Sequence, residues 1–346
     1  MEQRTKFHLK RVTKEENKMS NIAVIGSGSW GMANAIHLAK LGHNVKIWSF
    51  AKEEMDLINQ ERKCKFLPMV ERLPDNITAT QSFEECIKDT SYIFHVTPSK
   101  VARATINQYK EFVTNQPIVM CSKGFESETL STLDEVLTEA FPKNKIAAFS
   151  GPSHAEEVSR GIPTAMVLAS KNNKLLSELQ KLLMNENMRV YLSNDIKGVE
   201  LGGALKNIIA FCAGILVGMD LGDNSFAALM TRGLAEIVRL GEALGGKPET
   251  FYGLSGLGDL IVTCSSKYSR NRKAGMLIGQ GKTIEETRKE VGQTIESIDN
   301  IEVAYKLKNM YGVDMPILTA VYDVLYNGLE PRRAVTELMT RDKKFE

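Results

Sequence analysis

The most restrictive feature of this chain is a glycine-rich turn, Gly26-Ser27-Gly28-Ser29-Trp30-Gly31. It is set between the apolar run Ile22-Ala23-Val24-Ile25 and a segment of helical composition, Met32 to Leu41. Alone, a G-x-G-x-x-G string is common by chance. After a strand and before a helix, its glycines serve a tight turn, close approach of a pyrophosphate, and close helix packing. The helix N-terminus then faces the phosphates with unpaired N–H groups. A dinucleotide-binding α/β unit is the reading this context favours; a purely structural glycine turn is the alternative.

The usual companion of such a turn is an Asp or Glu about 20 residues on, at the end of the second strand, accepting from the ribose 2′-hydroxyl. Val45-Lys46-Ile47-Trp48 reads as that strand, but Ser49-Phe50-Ala51-Lys52 follows, with no acid before Glu53. Lys52 is the only nearby cation, and no arginine is present to stack on adenine and hold a 2′-phosphate. The sequence leaves NAD and NADP both open as cofactor.

A chain of 346 residues has room for two ordinary domains. Its net charge of +2 gives no basic field to recommend nucleic acid as a partner. The longest apolar stretch, Ile208 to Met219, is interrupted by two glycines and falls short of the ~20 residues that span a bilayer. It reads as a buried helix. Five cysteines (Cys64, Cys86, Cys121, Cys212, Cys264) show no paired spacing, which suits reduced thiols in a cytoplasmic protein. The histidines are equally dispersed, so no metal site is expected. Residues 1–20 carry six Lys or Arg against three Glu and no apolar core, unlike a secretory signal. They are expected to be a disordered leader, with Met19 a candidate natural start.

After the turn, short β-rich runs alternate with helical ones: Tyr92 to Val96, Val101 to Phe112, Ile118 to Cys121, Leu130 to Phe141, Ile146 to Phe149. Such alternation predicts a parallel sheet covered on both faces. Ala165 to Ala169 and Arg189 to Leu192 read as two further strands around a helix at Lys174 to Met184. From Asp195 the strand signals nearly stop, and helical spacing takes over, as in Leu234, Ile237, Val238 and Leu240. The expected fold is α/β: a Rossmann-type, doubly wound parallel sheet (21–193) followed by an all-helical domain (194–346).

Polar strand ends build the site of such a sheet. Here they are Val96-Thr97-Pro98-Ser99, Cys121-Ser122-Lys123-Gly124 and Ser150-Gly151-Pro152-Ser153-His154. Lys123 follows a buried apolar strand directly, though an ordinary loop lysine would look the same. In the helical half, Lys206 sits among small and apolar neighbours in Gly202-Gly203-Ala204-Leu205-Lys206-Asn207. Burial would lower its pKa and suit it to proton transfer; snorkelling to solvent is the plainer alternative. Asp259, a lone carboxylate amid glycines and leucines, and the cluster Ser269-Arg270-Asn271 complete the set. An Arg fork with Ser and Asn donors suits a phosphate. Singly, Asp259 reads equally as a helix cap and Arg270 as a solvated surface residue.

Together these residues resemble the NAD(P)-dependent glycerol-3-phosphate dehydrogenases of bacterial type, from about Asn21 to Met339. The resemblance rests on GSGSWG (26–31), SKG (122–124), SGPSHAEEVSRGIPTA (150–165), GALKN (203–207), AALMTRGLAEIVRLG (227–241) and GLGDLIVTCSSKYSRN (256–271). It implies reversible reduction of dihydroxyacetone phosphate to sn-glycerol 3-phosphate for phospholipid synthesis. Lys206 is implied as the proton-transferring group, and Asp259 as the group that holds it. For substrate the resemblance implies Lys123, Gly151, Ser153, Ser269, Arg270 and Asn271. For NAD or NADP it implies Gly26, Gly28, Ser29, Trp30, Gly31, Phe50, Lys123, Ala155, Arg270, Thr294 and Glu296. It implies no metal, and a homodimer.

Two positions depart from the family's pattern. Phe50 stands where relatives often carry Arg or His for a 2′-phosphate, and Ser297 follows Glu296 where a glycine is common. If that glycine needs a positive φ, the serine is strained. Ketopantoate reductases and β-hydroxyacid dehydrogenases share the architecture, but their carboxylate substrates do not call for the Ser269-Arg270-Asn271 cluster. A nucleotide-binding sensor that has lost catalysis is the rival from another class.

Overall fold

The computed structural model describes residues 19–343, so the expected leader lies almost wholly outside the described residues. Eight strands form one sheet in the order β3-β2-β1-β4-β5-β6-β7-β8. They are β1 Asn21–Ile25, β2 Asn44–Trp48, β3 Ile77–Thr80, β4 Tyr92–His95, β5 Ile118–Met120, β6 Ile146–Ser150, β7 Thr164–Ala169 and β8 Met188–Ser193. Four of the five β1 residues are buried and β5 is buried throughout, the near-continuous apolar runs of a sheet covered on both faces. From β3 to β6 every pairing is parallel.

The expectation of a parallel sheet needs one correction: β7 runs antiparallel to β6, and β8 follows β7 in parallel. A return to the starting edge would require an element as long as the strand. The β6–β7 connection carries only the four-residue helix Ala155–Val158, about 6 Å of rise against a strand of roughly 17 Å, so the chain turns back instead. Strand β3 and the helices Lys52–Gln60 and Phe83–Ile87 go beyond the sequence reading, being too short for periodicity to separate them from loop.

After β8 the described residues hold helices and turns without strands. The organising element is the helix Ile196–Gly218, of whose 23 residues only Lys197, Val217 and Gly218 escape burial. Apolar on all sides, such a helix belongs at the centre of a core. It is long and apolar enough to cross a membrane, but 89% of its most apolar window is buried inside the protein. All five cysteines are free and buried.

Glycines let the helix Arg270–Gly279 press directly on this central helix. A Cβ at Gly275 would stand 1.9 Å from the Phe211 carbonyl oxygen, and one at Gly214 would stand 2.0 Å from that of Arg272. Backbone, unlike a flexible side chain, cannot swing aside. Gly275→Ala is therefore expected to destabilise the protein by ~1–3 kcal/mol despite alanine's better helix propensity. A urea midpoint equal to the parent's would show that the two helices are not in this contact.

Candidate active site

The order β2-β1-β4 places a topological switch point beside β1, and in an open sheet the ligand crevice lies there, beyond the carboxyl ends of the strands. The glycine turn sits at that edge. Gly26 takes φ +123°, and a Cβ on it would meet the Val96 carbonyl oxygen at 3.0 Å; one on Gly31 would lie 2.0 Å from Gly26 O. Gly28 has open space on its Cβ side and caps the helix Ser29–Lys40, whose first turn carries no acidic residue. A cleft of about 760 Å³ opens here and runs to the helical half. Its open glycine face and unpaired helix N-terminus fit a pyrophosphate.

At the cleft's inner end, three charged side chains form a chain. Lys206 Nζ donates to Asp259 Oδ1 (2.6 Å) and Thr263 Oγ1 (2.7 Å). Lys123 Nζ donates to Asp259 Oδ2 (2.7 Å), Gly151 O (3.0 Å) and Ser153 Oγ (3.4 Å). An ammonium group has three N–H bonds. Lys123 has all three engaged and is a fixed cation; Lys206 has two engaged and keeps a third for the cleft it lines. Burial outweighs the attraction of Asp259 and brings the Lys206 ammonium down to about 8. For Asp259, burial acts to raise the carboxyl, but Lys123 and Lys206 overcome it and hold it below the usual carboxylate range.

Local sequence explains the placement. A π-helical turn, Leu254–Gly258, leads without a break into the helix Asp259–Ser265. The cap position of that helix is Gly258, with no side chain to offer, and the Asp259 carboxylate, one residue inside, is taken by the lysines. Thr263 lies four residues on, on the same helix face, where it donates to Asp259 O (2.6 Å) and accepts from Lys206.

Toward the helical wall, Ser269 caps the helix Arg270–Gly279 by accepting from Arg272 N (3.2 Å). Arg270 and Asn271 thus stand at a helix N-terminus facing the cleft, where an anion is favoured. Arg270 contacts Gln293 Oε1 (3.3 Å), and Asn271 Oδ1 accepts from Ser297 N (3.1 Å). Glu296 opens the helix Glu296–Met310. Burial pushes its carboxyl up, against the pull of Arg270 and the two lysines, and Asn207 Nδ2 donates to it at 3.2 Å.

Most of the residues expected from the sequence line this one cleft: Gly26, Gly28, Ser29, Trp30, Phe50, Lys123, Ser153, Lys206, Asp259, Ser269, Arg270, Asn271, Thr294 and Glu296. Gly31, Gly151 and Ala155 are not on its wall. Gly31 packs on the turn's own backbone, Gly151 (φ +136°) supports Lys123 through its carbonyl, and Ala155 is buried in the sheet core. Trp30 is pinned to the sheet, donating to Cys121 O (3.2 Å) and stacking on Phe149. Phe50 is 84% exposed on the rim. Ser297 lies inside a helix with no positive φ, so the strain considered for it is absent. Thr263, Asn207 and Glu54 are wall residues that sequence reasoning missed. The i, i+4 spacing of Asp259 and Thr263 was an available signal for the first.

Comparison with known proteins shows the family of this chain. Residues 21–176 match the family model for the NAD-dependent glycerol-3-phosphate dehydrogenase N-terminus, and residues 195–336 match that for its C-terminus. The chain is 47% identical to a glycerol-3-phosphate dehydrogenase [NAD(P)+] of Fusobacterium nucleatum, covering 95% of this chain and 99% of the relative. It is 48% identical to one of Thermoanaerobacter sp., covering 94% and 98%. The crystal structure of the Coxiella burnetii glycerol-3-phosphate dehydrogenase superposes with a TM-score of 0.90 at 36% identity, over 93% of this chain and 99% of that one.

Asp259→Asn leaves the buried Lys206 ammonium and the part-buried Lys123 ammonium without an anion between them, and breaking a buried pair costs about 3–5 kcal/mol. Lys206 should then surrender its proton at a lower pH than the parent's value of about 8. The folded variant binds fewer protons than the unfolded chain over a window extending below pH 8, so its stability rises with pH there. The variant's deficit relative to the parent should be larger at pH 6 than at pH 9. Equal deficits at both pH values, in urea unfolding, would contradict the coupling.

Proposed function

Since the chain belongs to the NAD-dependent glycerol-3-phosphate dehydrogenase family, we propose that Lys206 carries the proton in its reaction, that Asp259 and Lys123 fix Lys206, and that Arg270 with Asn271 receives the substrate phosphate. The protein is an oxidoreductase that interconverts dihydroxyacetone phosphate and glycerol 3-phosphate with NAD or NADP. The observation that carries the residue roles is the Lys206–Asp259–Lys123 chain at the inner end of the glycine-turn cleft.

The glycine turn and the cleft wall would hold a nicotinamide dinucleotide, which when bound would supply the hydride for C2 of the substrate. The remaining work falls to side chains. As C2 is reduced, its oxygen gains negative charge, and the third N–H of Lys206 is the donor assigned to it. Lys206 Nζ gives up a proton, and the O–H bond forms. In the oxidative direction neutral Lys206 takes the proton back. An ammonium lowered to about 8 by burial is suited to both directions near neutral pH. Lys123, spent on Asp259, Gly151 and Ser153, contributes fixed positive charge instead.

The phosphate is assigned to Arg270 and Asn271 because a guanidinium at a helix N-terminus offers both charge and directed donors. Thr294, Glu296 and Phe50 are assigned to the dinucleotide, the glycine turn to its pyrophosphate. Residues 21–193 are read as the cofactor domain and the residues from 194 as the substrate domain. A homodimer, a cytoplasmic location, which the free buried thiols suit, and a role in phospholipid supply complete the proposal.

The first test is dihydroxyacetone phosphate-dependent loss of absorbance at 340 nm with NADH and with NADPH. Lys206→Met should lower kcat by about 10²–10⁴; unimpaired turnover would remove Lys206 from proton transfer. Arg270→Ala should raise the KM for dihydroxyacetone phosphate by the equivalent of ~1.5–3 kcal/mol, and an unchanged KM would take the phosphate elsewhere. The pH profile has a definite sign. Reduction needs protonated Lys206, so its kcat/KM should fall as pH rises through about 8, whereas oxidation should rise through the same value.

A further inference from the structure

The carboxylate that the sequence shows to be missing after β2 is supplied in space by Glu54. It lies in the first turn of the helix Lys52–Gln60, past the strand end where an acceptor is usually sought, yet it lines the cleft with Gly26, Ser27 and Gly28. Glu54 Oε2 accepts from Ser27 Oγ (2.6 Å), inside the glycine turn, and from Ser49 Oγ (3.4 Å), directly after β2. The two hydroxyls are themselves 2.8 Å apart, and Ser49 Oγ also reaches Ala51 O (3.1 Å). Ser27 spends its one hydroxyl proton on Oε2, and Ser49, whose single proton is shared among Ser27 Oγ, Ala51 O and Oε2, stands behind that contact. The result is a half-buried carboxylate clamped across the carboxyl ends of β1 and β2, one residue from the glycine whose open face suits a pyrophosphate.

We infer that Glu54 is the acceptor for the adenosine ribose hydroxyls and the group that excludes a 2′-phosphate, so that this enzyme prefers NAD to NADP. The inference rests on the reading of the cleft as a dinucleotide site. In a sheet ordered β3-β2-β1-β4, a dinucleotide with its pyrophosphate at the β1 turn has its adenosine ribose over the end of β2, where Glu54 stands. A ribose diol offers donors to a carboxylate. A 2′-phosphate in the same place brings about two negative charges against a third and needs a cation to offset them. Among the described residues near that rim, the available cation is Lys52, which is exposed and paired to Asp56 at 3.1 Å. On its other side Phe50, 84% exposed, presents a ring and no charge, with its carbonyl held by Gln81 Nε2 (2.9 Å).

Direct titration of the unliganded enzyme with NADH, NADPH and 2′-deoxy-NADH, read by calorimetry, tests this without turnover. The parent should bind NADH more tightly than NADPH, and more tightly than 2′-deoxy-NADH, each by about tenfold or more, the scale of a hydrogen bond to a charged group. Glu54→Gln should shrink both ratios together, with NADPH gaining in absolute affinity, and the ratio of kcat/KM for the two cofactors should move the same way. The parent titrations stand even if the variant does not fold. Equal parent affinities for NADH and NADPH, or for NADH and its 2′-deoxy analogue, would overturn the inference. So would unchanged ratios in a folded Glu54→Gln enzyme. Binding of none of the three would instead remove the dinucleotide reading of the cleft, and this assignment with it.

Discussion

Two ammonium groups cannot share a buried site unless an anion stands between them, and the architecture around Asp259 follows from that requirement. Lys123 comes from the loop after β5, Lys206 from the middle of the central helix, and Asp259 from a helix that starts on a π-turn. The two ion pairs join residues 136 and 53 positions apart in sequence. Ion pairs of this kind contribute little net stability against apolar packing, yet losing one partner is costly. Their presence is better explained by chemistry than by folding. The pull of Asp259 raises the Lys206 ammonium and burial lowers it, and the balance lies near 8, the range that the proposed proton transfer needs.

The depth at which Lys206 sits is set by helix packing. A helix buried on nearly every side can deliver a lysine to an interior cleft only if its neighbours approach closely. Glycines on both partners provide that approach: Gly214 meets the carbonyl of Arg272, and Gly275 meets that of Phe211. The same contact fixes the start of the helix Arg270–Gly279, and so the position of Arg270 relative to Lys206. Packing in the helical core and the spacing between Lys206 and Arg270 are one constraint.

Much of this was legible in the sequence because each feature has a local signature. The strand, glycine turn and helix at 21–41, the apolar central helix, and the isolated Lys206 and Asp259 all announce themselves through neighbours within one or two turns. The antiparallel entry of β7 was hidden because it depends on the length of a connection, not on the strand's composition. That Lys123 is spent on Asp259, Gly151 and Ser153 rather than left free was equally invisible, since its partners come from distant segments. Ser297 looked like a strained substitution because a glycine at that position suggested a positive φ; inside a helix the serine needs none, and its N–H binds Asn271.

Glu54 shows how a positional rule can miss the physics it summarises. The rule places an acid at the end of the second strand because a carboxylate is wanted over that strand's carboxyl edge. Here the acid comes later in the chain, but the first turn of a helix advances only about 1.5 Å per residue, so the side chain still falls back over the same edge. Ser27 from the β1 end then holds it there, backed by Ser49 from the β2 end. The cleft becomes electrically polar along its length, with Glu54, held by serine hydroxyls, at the β2 end and Lys123, Lys206 and Arg270 at the other, where Asp259 and Glu296 offset only part of their charge. A ligand that offers hydroxyls at one end and a phosphorylated substrate at the other matches that polarity, and one that carries an additional phosphate at the β2 end opposes it.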